Sequence, residues 1–176
     1  MSTVLVCPLD HLAATLQTSG ATDLVTFASP GNSPTGLPAD LRHLALEFND
    51  IPAPRKGYLE PRREHIDALL EFVRAWDGHR PLVLNCWMGI SRSTAAAALT
   101  LAALEHQPDC ATIARRLRLA SPSATPNPLM IALGDEALQL DGALSQAITA
   151  IGRGAEACTG TPFELTVDIA KRAQNG

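Results

Sequence analysis

Leu84-Asn85-Cys86-Trp87-Met88-Gly89-Ile90-Ser91-Arg92-Ser93 places a cysteine and an arginine five residues apart, straight after the apolar run Leu82-Val83-Leu84. That run does not alternate, the pattern of a strand buried on both faces. From Thr94 to Leu104 the chain is almost wholly Ala, Leu and Thr, the composition of a helix apolar all round and therefore buried. A tight loop from a strand end to a helix start can curl its backbone N–H groups inward. The helix start adds its own unpaired N–H groups and positive dipole, and together these make an anion site. None of Trp87, Met88, Gly89, Ile90, Ser91 and Arg92 is proline, so every amide of the loop is available as a donor. Gly89 supplies the conformational freedom such a curl requires. Arg92 can close the ring with two parallel hydrogen bonds to phosphate-type oxygens. The same positive surroundings favour the thiolate of Cys86, the nucleophilic form, placed for in-line attack on a bound phosphoryl group.

Outward from this loop, strands and helices alternate. Val4–Cys7 is a short apolar run, and Pro8–Leu16 carries Leu9, Leu12, Ala13 and Leu16 at helical spacing. Asp23–Ala28 and Arg42–Phe48 read as strands, separated by the Pro-, Gly- and Ser-rich loop Ser29–Pro38. Pro61 opens a helix whose apolar face is Ile66, Leu69, Leu70, Val73 and Trp76. Asp109 caps a further helix with Ile113 and Leu117 inside and a basic face at Arg115, Arg116 and Arg118, and Leu129–Leu140 is another. From Gly142 the pattern weakens: Leu144–Ile151 reads as helical, and the last dozen residues carry little signal. The expectation is an α/β fold with a central, mostly parallel sheet flanked by helices, as one domain over residues 1–176. Residues 142–176 are left unassigned within it.

Composition narrows the function. Hydrophobic residues make up 46% of the 176 and charged ones 18%, so the chain is globular rather than disordered. A net charge of -4 lacks the basic footprint of a nucleic-acid binder. No apolar stretch approaches the roughly 18 residues that span a bilayer. Cys7, Cys86, Cys110 and Cys158 are widely spaced with no Cys-x-x-Cys pair, and the N-terminus is not a secretory signal, so they read as free thiols in a reducing cytoplasm. The five histidines form no metal-ligand spacing, and no cofactor or metal is expected.

Cys86–Ser93 resembles the signature loop of the protein tyrosine and dual-specificity phosphatase superfamily, His-Cys-x-x-Gly-x-x-Arg followed by Ser or Thr. Every fixed position matches except the first, which is Asn85. The resemblance implies a cysteine-dependent phosphatase fold, Cys86 as nucleophile, Arg92 as phosphate clamp and the Ser93 hydroxyl as helper when the thiolate leaves. It is expected to run from the third strand to about Leu138, with Asn127 bracing the site. It also implies an Asp general acid on a loop some thirty to forty residues before the cysteine. Asp50, in Asn49-Asp50-Ile51-Pro52-Ala53-Pro54, has that separation, whereas Glu64 and Asp67 lie on a helix and Asp77 at the far end of the strand leading to Cys86. Asn85 can still order the loop by hydrogen bonding, but it carries no charge.

The implied substrate is a phosphorylated protein or a small phosphomonoester, with a phosphate- or sulfate-type anion in the loop. Arg55 and Lys56 either guide that anion or form a solvated pair. Two other readings remain at this stage. A rhodanese-like sulfurtransferase also uses a loop cysteine, but Gly89, Arg92-Ser93 and the Asp50 separation speak against it. A phosphate-binding pseudophosphatase would keep the cradle and lose a catalytic group.

Overall fold

The run Leu82-Val83-Leu84 lies in the central strand of a five-stranded sheet in the computed structural model, which describes residues 1–169. The strands are β1 (Ser2–Pro8), β2 (Asp23–Ala28), β3 (Arg42–Glu47), β4 (Leu82–Cys86) and β5 (Phe163–Val167). Their spatial order is β3-β2-β4-β1-β5. The first four run parallel and β5 runs antiparallel to β1. Every residue of β2 and β4 is buried, which is why neither alternates in sequence.

The helices are α1 (Leu12–Ser19), α2 (Arg63–Ala75), α3 (Arg92–Leu104), α4 (Cys110–Ala120), α5 (Pro128–Ala137) and α6 (Ala143–Ala150). They divide unequally between the two faces of the sheet. Val4, Val6, Val25, Phe27, Leu82, Leu84 and Cys86 face the main core, built with α2 to α6. Cys7, Leu24 and Val83 face the other way, against Leu12 and Leu16 of α1 and the half-buried Leu37 and Leu41 of the loop before β3. Helix α3 runs through the core with all residues from Arg92 to Ala102 buried. Its alanines let the backbone lie close to the strands. Helix α5 presses on it so tightly that a Cβ at Gly134 would fall 2.1 Å from Leu99 Cδ2 and 3.0 Å from Leu99 Cγ.

Several expectations shift. Pro61 lies outside its helix: Arg62 is the N-cap and His65 Nδ1 accepts from the Arg62 N–H at 3.0 Å, so the first turn is closed by a side chain. The segment after Pro8 begins as a 3-10 turn, Leu9–His11, before α1. The basic face of α4 is largely tied down: Arg116 pairs with Glu105 at 2.7 Å, and Arg118 donates to the carbonyls of Pro122, Ala124 and Gly152. Strand β5 lies where the sequence carried little signal. It has partners on one side only, so it shows a weak pattern, with only Leu165 and Val167 buried. Residues 170–176 of that last stretch lie outside the described part. No helix among the described residues is long and apolar enough to cross a membrane.

Replacing Gly134 by Ala sets two effects against each other. Helix propensity favours alanine by about 1 kcal/mol, while overpacking a core contact costs about 1–3 kcal/mol. Both Leu99 methyls would clash with the new Cβ, at 2.1 and 2.7 Å, and Leu99 is fully buried with little room to turn, so packing should win. The expected outcome for Gly134→Ala is a melting temperature lower by roughly 2–8 °C. A higher melting temperature in differential scanning calorimetry would mean that Leu99 has room to turn away.

Candidate active site

Cys86 is the last residue of β4 and only 2% exposed. Between it and Arg92, the first residue of α3, the chain turns with its carbonyls pointing outward. Trp87 O accepts from Leu9 N at 3.2 Å, Met88 O from Gly160 N at 2.8 Å, Ile90 O from Thr125 N at 2.9 Å and Ser91 O from Asn127 N at 3.3 Å. A trans peptide puts each carbonyl and the next N–H on opposite sides. The N–H groups of Met88, Gly89, Ser91 and Arg92 therefore point into the loop. Gly89 makes the curl possible twice over. Its φ is +67°, and a Cβ there would stand 2.8 Å from the backbone N of Pro8.

A thiol, a hydroxyl and a guanidinium complete the ring. Cys86 Sγ and Ser93 Oγ are 3.1 Å apart. Arg92 is almost fully buried, and its NH1 donates to Phe48 O at 2.8 Å. Phe48 is itself fixed by an edge-on contact with Phe27, ring centroids 6.0 Å apart, and by the His65 ring at 4.9 Å. Burial pushes the His65 imidazole down, so it packs there as a neutral ring. Arg92 Nε is buried with no hydrogen-bond partner. An orphaned donor of this kind costs about 1–3 kcal/mol, more when charged, and calls for an explanation.

Asp50 follows β3 and lies against the loop. Its Oδ1 accepts from Ser91 Oγ at 2.7 Å and from Asn127 Nδ2 at 2.8 Å. Its Oδ2 stands 3.6 Å from Arg92 Nε. Asn127 also donates to Ile51 O at 3.0 Å and, through Oδ1, caps α5 by accepting from Met130 N. On the opposite side of β4, Asn85 is buried and its Nδ2 donates to Cys7 O at 3.0 Å, tying the strand end to β1. Burial pushes the Cys7 and Cys110 thiols up, which favours their protonated form.

Cys86, Asp50, Arg92, Ser93 and Asn127 are thus gathered at one point. Asp50, Trp87, Met88 and Arg92 line a cavity of about 340 Å³ with Leu9 and Phe27. Trp87 is 60% exposed and forms its rim rather than packing beneath the loop. Arg55 instead lies over the exposed Tyr58 ring, 4.8 Å from its centroid, and neither it nor Lys56 lines this cavity. Sequence reasoning missed Leu9, Thr125 and Gly160. Each acts through a backbone amide, which leaves no trace in residue type; only the glycine at 160 is a signal. A Cβ there would come within 2.9 Å of Gly89 O.

No family model and no curated protein matches this sequence. Solved structures do. DUSP15 superposes with a TM-score of 0.60 at 18% identity, over 84% of this chain and 90% of that one. Human DUSP28 gives 0.57 at 25% identity, over 78% and 94%. PTPMT1 in complex with PI(5)P gives 0.56 at 16% identity, over 84% and 93%. The protein has the α/β fold of the protein tyrosine and dual-specificity phosphatases. Its structural neighbours include dual-specificity phosphatases, and the likeness covers more of the chain than the expected stretch from the third strand to Leu138.

Gly160→Ala tests whether the segment before β5 shapes the loop. The added methyl must push Gly160 away from Gly89 and weaken the bond to Met88 O. Affinity for orthovanadate, measured by calorimetry, should fall about tenfold, the effect of a lost hydrogen bond of roughly 1.4 kcal/mol. Unchanged affinity would make the segment a passive cover.

Proposed function

We propose that the protein hydrolyses phosphomonoesters through a phosphocysteine intermediate. What chiefly supports this is Arg92: a buried guanidinium with one nitrogen fixed on Phe48 O and Nε without a hydrogen-bond partner, 3.6 Å from Asp50 Oδ2, beside inward-facing amides. A phosphoryl group in the loop would take those amides and the Nε–H together, and so satisfy the orphaned donor.

In this reading the Cys86 thiolate attacks phosphorus in line while the bond to the ester oxygen breaks. Asp50 gives its proton to the departing oxygen. Its Oδ1 is already occupied by two donors, so Oδ2 is the oxygen that carries the proton. The intermediate then holds sulfur bonded to phosphorus. Asp50, now a carboxylate, takes a proton from water as the water attacks, and the S–P bond breaks to release inorganic phosphate. The returning thiolate accepts a hydrogen bond from Ser93 Oγ, whose 3.1 Å separation suits that role. Met88, Gly89, Ser91 and Arg92 supply the inward-facing loop amides, with Trp87 and Ile90 completing the cradle. Their fixed dipoles stabilise the charge of the transition state without rearranging.

Cys86→Ser should abolish release of phosphate from p-nitrophenyl phosphate and leave vanadate binding within about tenfold, because the cradle is backbone and Arg92. Retained turnover in the pure variant would remove Cys86 from the nucleophile's role. Absence of turnover in the unaltered protein, with vanadate still bound, would make it a pseudophosphatase.

Asp50→Ala should slow alkyl phosphates by about 10²–10⁴ and activated aryl phosphates far less, since a good leaving group needs no proton. A uniform loss across a leaving-group series would assign Asp50 a structural part.

A further inference from the structure

The catalytic cavity does not end at the loop. Leu9 and Pro34 line it on one side and line a second cavity, of about 610 Å³, on the other. That second hollow lies on the thinly covered face of the sheet, between α1 and the loop before β3. Its walls include Leu12, Leu16, Leu37 and Leu41. Leu9 is doubly placed: its backbone N–H holds Trp87 O at 3.2 Å, and the residue lines both cavities.

We propose that the two cavities form one groove that receives a phosphomonoester with a long apolar chain, the phosphate on Arg92 and the chain running past Leu9 and Pro34. This rests on the hydrolase reading above and adds a substrate class to it. Charge supports a single phosphate at one end, because Arg92 is the only cation lining the catalytic cavity. At the far end stands Arg80, with NH1 already held by Gly20 O at 3.2 Å. The mouth is apolar too, with Trp87 60% and Met88 38% exposed. A peptide laid in this groove would bring an N–H and a C=O at every residue, each requiring a partner once water is removed. The leucines of the walls offer none, and an alkyl chain requires none. Gln17, Thr22, Thr35 and Asp40, which also line the second cavity, are the groups a polar occupant would use.

The test is a series of single-chain n-alkyl phosphates from butyl to decyl, used below their micelle concentrations, with p-nitrophenyl phosphate as reference. Burying one methylene is worth about a fourfold gain when complete, so kcat/KM should rise roughly two- to fourfold per added methylene. Non-hydrolysable n-alkylphosphonates should show the same slope in Kd by calorimetry, which reads the groove without turnover. Ala13 is exposed on α1 and lines the second cavity, so Ala13→Trp should fill it and flatten both slopes. Flat slopes in the unaltered protein, with p-nitrophenyl phosphate still turned over, would overturn the groove and leave the hydrolase standing. Loss of all hydrolysis with a rising phosphonate slope would overturn the hydrolase and leave the groove. Slopes unaffected by Ala13→Trp would place the chain elsewhere. A gain confined to phosphotyrosine peptides with flanking leucine would mean that a peptide, not an alkyl chain, is the occupant.

Discussion

The outward anchoring of four carbonyls between Cys86 and Arg92 is the constraint on which the site depends. Parallel amide dipoles pointing at one spot repel each other, and an unsupported loop would relax by turning some of them away. Here Leu9, Thr125, Asn127 and Gly160, from three separate segments, each hold one carbonyl. At about 0.5–1.5 kcal/mol apiece, four such bonds contribute roughly 2–6 kcal/mol to holding the inward geometry. The loop is therefore organised before any anion arrives, the condition under which fixed dipoles lower a barrier most.

The rest of the fold keeps those three segments in place. Strand β4 is central and wholly buried, so its end, Cys86, cannot drift. Asn85 ties that end to β1 through Cys7 O, and β1 continues directly into Leu9. Asn127 links the Asp50 loop, the Ser91 carbonyl and the first turn of α5 in one set of hydrogen bonds. A histidine in place of Asn85 would bring a charge. The asparagine brings a neutral donor of the same reach, and the load of stabilising an anion falls on the amides and Arg92.

The two faces of the sheet serve different ends. Helices α2 to α6 build the deep core under the loop, where Phe48 and Arg92 need rigidity. The other face has one short helix and a Pro- and Gly-rich loop over it, and that lighter cover leaves the hollow between Leu12 and Leu41.

The sequence by itself determined the central strand, the loop and the helix after it, because a buried strand, a glycine and a five-residue spacing are local properties written in residue types. It also singled out Asp50, through a Pro-bounded loop and a separation from Cys86 that the family resemblance supplies, and the structure places that carboxylate against the loop. Strand β5 was not legible, since a one-sided edge strand needs only Leu165 and Val167 inside and shows little pattern. Nor were the partners of the loop carbonyls. Any non-proline residue has a backbone amide, so which ones meet the loop is decided by where the chain passes in space. The pairing of Asn127 with Asp50 across 77 positions, the orphaned Nε of Arg92 and the abutting cavities at Leu9 and Pro34 belong to the tertiary structure alone. Each depends on distances between segments that the order of residues does not encode locally.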